Sequence, residues 1–180
     1  RMSSDTPPTL LDTLRRDSER YADVGGWHRS RGFWLVAIYR FGRWAKDQKR
    51  PLRPLLWLLY RIAQLSYLLF NINLPAGANG ARIGPGLCLI HPNNVYFGHG
   101  VEIGENCLIH HEVTLGKGPI PGTPRIGNNV TIFPGARIVG GINIGDDAMI
   151  GANCVVQRDV PAGTVLMMPA PRRIPRALSA

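Results

Sequence analysis

The sequence predicts a mainly β chain preceded by a helical N-terminal unit, and two observations carry that prediction. Aliphatic residues return at a six-residue period through the second part of the chain, and a fixed short period marks a repeat architecture. Aromatic residues and positive charge collect before that repeat. Residues 1 to 74 hold all four Trp, 11 of the 14 aromatics and +7 of the net +9, whereas residues 75 to 180 hold 17 of the 21 Gly and only +2. The predicted units are therefore 1–74, a helical oligomerisation or membrane-surface unit, and 75–180, the repeat with a C-terminal tail. The 180 residues are enough to bury a core, and 44% apolar content excludes general disorder. Three cysteines cannot all pair internally, so the expectation is a reduced, cytoplasmic protein rather than a disulfide scaffold. No secretory signal is recognised at the start.

Taken in order, Thr9 to Tyr21 is polar with leucines at 10, 11 and 14, a short amphipathic helix that Gly25-Gly26 ends. Phe33 to Trp44 sets Phe33, Trp34, Val36, Ala37, Phe41 and Trp44 among Arg40 and Arg43 as a second helix. Lys46, Lys49, Arg50, Pro51, Arg53 and Pro54 read as a basic connector, and Leu55 to Phe70 as a third helix. A membrane span needs ~20 mainly apolar residues, and Arg61 and Gln64 sit centrally in this one. Two readings of the unit stay open: helical packing or oligomerisation, and a monotopic contact with an anionic membrane through the basic cluster from Arg40 to Arg61. No nucleic-acid recognition motif accompanies the charge, so no nucleic-acid partner is expected.

In the second unit, anchors fall at Ile83, Leu89, Phe97, Ile103, Ile109 and Leu115. They resume at Ile126, Ile132, Ile138, Ile144, Ile150 and Val156. Small or β-branched residues stand four positions later, among them Val101, Cys107, Val113, Val130, Ala136, Ala148 and Cys154, with Leu87 and Ile142 larger. Two extra residues enter near 95 and five between Leu115 and Ile126. From 75 to about 170 this resembles the hexapeptide-repeat transferases. That resemblance implies a left-handed parallel β-helix, three hexads to a coil and about four coils. Each anchor then points inward, and coils stack at ~4.8 Å. Cys107 and Cys154 occupy the small inward position and read as core; Cys88 lies outside that phase.

Of the five histidines (His28, His91, His99, His110 and His111), two share an address. His91 is two residues after Leu89, and His111 two after Ile109. They stand 20 residues apart, one 18-residue coil plus the two-residue insertion, so they are expected to stack one coil apart, beside a loop from Lys117 to Pro124. No P-loop, dinucleotide fingerprint, serine nucleophile elbow or zinc cluster is present, and a His–His pair lacks further metal ligands, so no metal is expected.

The string His91-Pro-Asn-Asn-Val-Tyr-Phe-Gly, followed by Gly104-Glu105-Asn106-Cys107-Leu108-Ile109-His110-His111-Glu112-Val113-Thr114-Leu115-Gly116-Lys117-Gly118, is similar to the serine acetyltransferase branch of that family. It also resembles the colanic-acid and capsular polysaccharide O-acetyltransferases. The resemblance implies acetyl transfer from acetyl-CoA to a hydroxyl, with His91 as general base and Val113 to Gly116 at the family's spacing from it. It implies a homotrimer or a dimer of trimers, with CoA in the groove between two β-helices. The pantetheine is expected to pass Gly116, Lys117, Gly135 and Ala136, and the phosphates to meet Lys117, Arg158, Arg172 and Arg173.

Three positions depart from serine acetyltransferases. The residue before the histidine is Ile90 rather than aspartate, and the acid that orients the histidine aligns with Ala76, or with Asn73 if the register slips. The Arg-His pair that holds the serine carboxylate aligns with Gly122-Thr123. These losses point to a saccharide acceptor, a surface-polysaccharide unit or its precursor, at the inner face of the membrane, with His111 and Glu112 as further candidate site residues. Serine as acceptor, or a non-catalytic β-helix scaffold, are the alternatives. The ending Leu178-Ser179-Ala180 lacks the family's C-terminal Ile, so docking to cysteine synthase is not expected.

Overall fold

The computed structural model describes residues 8–77 and 80–170, with Asp23 by its backbone alone. Helix α1 (Leu10–Arg20) starts at Thr9, whose hydroxyl accepts from the Asp12 N–H while the Asp12 carboxylate accepts from the Thr9 N–H. This reciprocal box satisfies two otherwise unpaired donors. Short 3₁₀ turns at Ala22–Val24 and Trp27–Arg29 lead past Gly25-Gly26 into α2 (Arg31–Lys46), capped by the Ser30 hydroxyl.

The third predicted helix differs from the observed one at both ends. It begins earlier, as α3 (Leu52–Ala63), with Pro54 in its first turn, where no intrahelical donor is missed. It breaks before α4 (Ser66–Leu69). The Ser66 hydroxyl donates to the Ala63 carbonyl at 2.8 Å, the acceptor that the Tyr67 N–H would otherwise use, and Tyr67 bonds to Gln64 instead.

The repeat forms a three-sided parallel solenoid. The first side holds β1 (Arg82–Ile83), β4 (Glu102–Ile103), β7 (Arg125–Ile126) and β10 (Asn143–Ile144). The second holds β2 (Cys88–Leu89), β5 (Leu108–Ile109), β8 (Thr131–Ile132), β11 (Met149–Ile150) and β13 (Val165–Leu166). The third holds β3 (Tyr96–Phe97), β6 (Thr114–Gly116), β9 (Arg137–Val139) and β12 (Val155–Val156). Strands β1 to β12 make four complete coils, and Val160, bridged to Ile144, with β13 begins a fifth.

The register stacks the anchors in three columns: Ile83-Ile103-Ile126-Ile144, Leu89-Ile109-Ile132-Ile150 and Phe97-Leu115-Ile138-Val156. All but half-buried Ile83 are buried, as are Cys107 and Cys154 at the small inward position. The alternation is that of a strand: on the first side Arg82, Glu102 and Arg125 face out between the anchors, and Glu102 pairs with both arginines at 3.4 Å.

The helices dock on the first coil through buried polar groups. The Arg40 guanidinium forms a two-point ion pair with Asp17 (2.9 and 3.1 Å) and donates to the carbonyls of Ile83 and Gly84. Asp17 also accepts from the N–H groups of Gly86 and Leu87. Removing one member of such a pair leaves a buried charge and costs roughly 3–5 kcal/mol. Arg40 is thus 6% exposed and is no part of a basic surface, contrary to the expectation from sequence. Tyr21 and Tyr39 add hydrogen bonds to the Leu89 N–H and the Ala81 carbonyl. One apolar cluster runs from Leu35, Tyr39, Tyr60 and Tyr67 into the solenoid anchors, and strand pairing already begins at Asn73, which bridges Tyr96.

Candidate active site

Because Leu89 pairs with Ile109, the residues two beyond each meet across one coil. The His91 and His111 rings lie with centroids 6.3 Å apart and planes at 62°, as the spacing predicts. His91 has a left-handed backbone (φ 48°), and so does Glu112 (φ 60°). Corners on the first side use Asn106, Asn129 and Asp147 for the same conformation, which short polar side chains adopt more readily than Glu does. Non-glycine residues held there carry about 1–3 kcal/mol of strain, and such strain gathers at functional sites.

The two imidazoles differ in setting. His91 is exposed, whereas His111 is half-buried and its Nδ1 has no hydrogen-bond partner among the described residues. His110 stacks on Phe133 at 5.4 Å, and its pKa is lowered by burial first and then by His111 and His91. Neither alternative for the orienting residue reaches His91. Ala76 is fully buried in the apolar core, and the Asn73 amide donates to the Phe97 carbonyl. Glu112 is exposed; among the described residues its carboxylate makes no hydrogen bond or ion pair, and its backbone N–H bonds to the Asn93 carbonyl.

A cleft of about 580 Å³ opens beside His91, between the β2–β3 corner and the entry to α2. Arg29, Ser30, Arg31 and Gly32 line its helical wall, and Ile90, His91 and Asn93 its solenoid wall. Among the described side chains, no Asp or Glu lines it. The Arg31 guanidinium also lies 5.6 Å from the Phe70 ring centroid. These arginines escaped the sequence reading because they are remote in the chain from His91. Gly32 brings them close: a Cβ there would overlap the Leu89 carbonyl oxygen, so only glycine lets α2 abut β2. A larger cleft, of about 650 Å³, lies over the first side around Arg43, Arg82, Glu102 and Arg125, and no histidine lines it.

The expected CoA residues fall on two edges of the prism. Gly135 and Ala136 are buried on the histidine edge, directly after β8, and the Gly135 N–H donates to the His111 carbonyl at 3.2 Å. Gly116, Lys117 and Arg158 lie across the third side, at the next edge, with Lys117 and Arg158 exposed. Arg172 and Arg173 lie outside the described residues. The loop from 117 to 124 leaves from that second edge and folds back on the following coil, where the Gly141 N–H donates to the Ile120 carbonyl. Thr123 donates its hydroxyl to the Gly100 carbonyl.

The buried thiols are not nucleophile candidates: burial pushes Cys88 and Cys107 up to about 11. Cys88 faces outward from β2 and is covered by Tyr21 and Phe33 of the helical layer. Among the described residues, no group of three His, Cys, Asp or Glu side chains converges as a metal site.

The family model described as bacterial transferase hexapeptide (six repeats) matches residues 123–158. A serine acetyltransferase of Synechococcus elongatus is 37% identical over 142 residues, covering 77% of this chain and 55% of that protein. Among solved structures, the soybean serine acetyltransferase apoenzyme superposes with a TM-score of 0.73 at 30% identity, over 92% of this chain and 69% of that one. The Brucella abortus serine acetyltransferase in complex with coenzyme A gives 0.67 at 26% identity, over 89% and 65%. The chain spans between about half and three-fifths of the length of the curated relatives it matches first. Twelve stacked hexads, a histidine pair on one edge and these relatives together place the chain in the hexapeptide-repeat acyltransferase family, as a homologue of the serine acetyltransferases.

Proposed function

We propose that this protein transfers an acetyl group from acetyl-CoA to a hydroxyl, with His91 as general base. The observation that carries the reading is the strained, exposed His91 at the mouth of a cleft, paired across one coil with His111. A hydroxyl is a poor nucleophile near neutral pH, and an imidazole can take its proton as the oxygen attacks the thioester carbonyl. The new C–O bond forms, the C–S bond breaks, and the proton held on His91 passes to the departing CoA thiolate. Backbone N–H groups along the coil edge are suited to the oxyanion that develops between these events. His111 helps to position the acceptor. CoA runs in a groove that a second β-helix completes, past Gly116, Lys117, Gly135 and Ala136, so the working unit is a trimer.

Serine is the first acceptor to consider. The relatives carry that name, and Arg29 and Arg31, at the N-terminal end of α2, offer a carboxylate two cations beside His91. A sugar hydroxyl, of a surface polysaccharide or its precursor, is the second reading, and one observation favours it. Among the described side chains no Asp or Glu lines the cleft to receive an ammonium group, and Gly122-Thr123 carries no cation. The test is CoA release from acetyl-CoA against serine, N-acetylserine-blocked controls, nucleotide sugars and oligosaccharides. Saturable turnover with serine that falls in Arg29→Ala and Arg31→Ala supports the first reading. Turnover with a sugar alone selects the second, and no CoA release with any hydroxyl acceptor overturns acetyl transfer.

A further inference from the structure

Helix α3 carries apolar residues on two opposite faces, with the exposed Arg53 and Arg61 as its only charged residues. Its inner face sets Trp57 and Tyr60 against α2 and the core. The opposite face, continued through α4, presents Leu52, Leu55, Leu58, Leu59, Ile62, Leu65, Leu68 and Leu69, each 47–81% exposed. These positions recur at three- and four-residue steps and form one continuous stripe. A large contiguous apolar patch ordinarily marks an interaction surface, and among the described residues nothing covers this outer face.

Charge says what does. Lys46, Lys49, Arg50, Arg53 and Arg61 lie within α3 or in the segment that leads into it, and Asp47 is the sole acid from residue 43 to residue 77. A second copy packed face to face would set the same cations against one another. An anionic lipid surface instead offers phosphates to the basic residues and acyl chains to the leucines. At 12 residues, α3 is ~18 Å long, well short of the ~30 Å hydrocarbon core, and among the described residues no helix is long and apolar enough to cross a membrane.

We propose that the outer face of α3 and α4 lies in the interface of an anionic bilayer, seating the molecule on the membrane without spanning it. This goes beyond acetyl transfer and does not depend on it. The full chain is spun with phosphatidylcholine vesicles and with vesicles containing phosphatidylglycerol, at about 50 mM and about 500 mM NaCl. Sedimentation velocity without lipid is run in parallel. The expected result is binding to the anionic vesicles that high salt weakens, and little binding to the neutral ones. Leu58→Glu/Ile62→Glu, and separately Lys49→Glu/Arg50→Glu/Arg53→Glu, should each reduce that binding by about tenfold or more. All five positions are exposed, and an unchanged thermal midpoint confirms that the variants fold. No binding to anionic vesicles at low salt overturns the proposal. So do Leu58→Glu/Ile62→Glu molecules that bind vesicles as before but form smaller assemblies, because the stripe is then a contact between copies.

Discussion

His91 is exposed beside the entry to α2, whereas His111, one coil on, has a buried Nδ1 atom with no partner among the described residues. Equal offsets from stacked anchors thus give one accessible imidazole and one partly enclosed. His91→Ala should lower kcat by roughly 10²–10⁴-fold and leave CoA affinity nearly unchanged, as steady-state kinetics and CoA titration would measure. His111→Ala should lose less, mainly in acceptor KM; the reverse ranking would exchange the two roles. His110 gives the fold a pH dependence. Its folded-state pKa is lowered from 6.5, chiefly by burial, so the unfolded chain binds the proton more readily. Its contribution is complete above 6.5 and is lost as pH falls through that value toward the lower folded pKa. The thermal midpoint should therefore drop between about pH 7 and about pH 5, and His110→Asn should flatten part of that slope. An identical slope in the variant would assign the acid sensitivity to other groups.

At the scale of elements, the six-residue anchors predicted every inward column, because a strand that alternates sides has one way to bury its aliphatic residues. The helices were less legible. Their existence follows from periodicity, but at the break around Gln64 and Leu65 the Ser66 hydroxyl takes the Ala63 carbonyl, and Arg40, a surface charge by sequence, is buried against Asp17. Cys88 made no sense in the inward phase, and became buried because Tyr21 and Phe33 lie over the outer side of β2. The junction of α2 with β2 rests on Gly32. Gly32→Ala should push α2 off the Leu89 carbonyl, lower the thermal midpoint and reduce kcat/KM, since His91 lies two residues beyond Leu89. Full activity and stability in Gly32→Ala would show that helix and coil adjust without disturbing His91.

For the whole molecule, a single solenoid would supply only one wall of the proposed CoA groove, so activity should require a trimer. Sedimentation velocity should give a trimer or its double at micromolar concentration, and specific activity should fall on dilution below the dissociation range; a fully active monomer would refute this. Helices before a repeat, the anchor columns and the His91–His111 stack were all determined by the sequence. Each depends on a period, and a period in a chain that pairs with its own next coil maps directly onto space. The cleft that places Arg29 and Arg31 beside His91 was decided by tertiary structure, as were the buried Asp17–Arg40 pair and the leucine stripe left uncovered on α3. Those depend on how a helical layer seats against the first coil, where a missing Cβ at Gly32 and a few buried polar groups set the fit. No periodicity records such contacts between residues far apart in the chain.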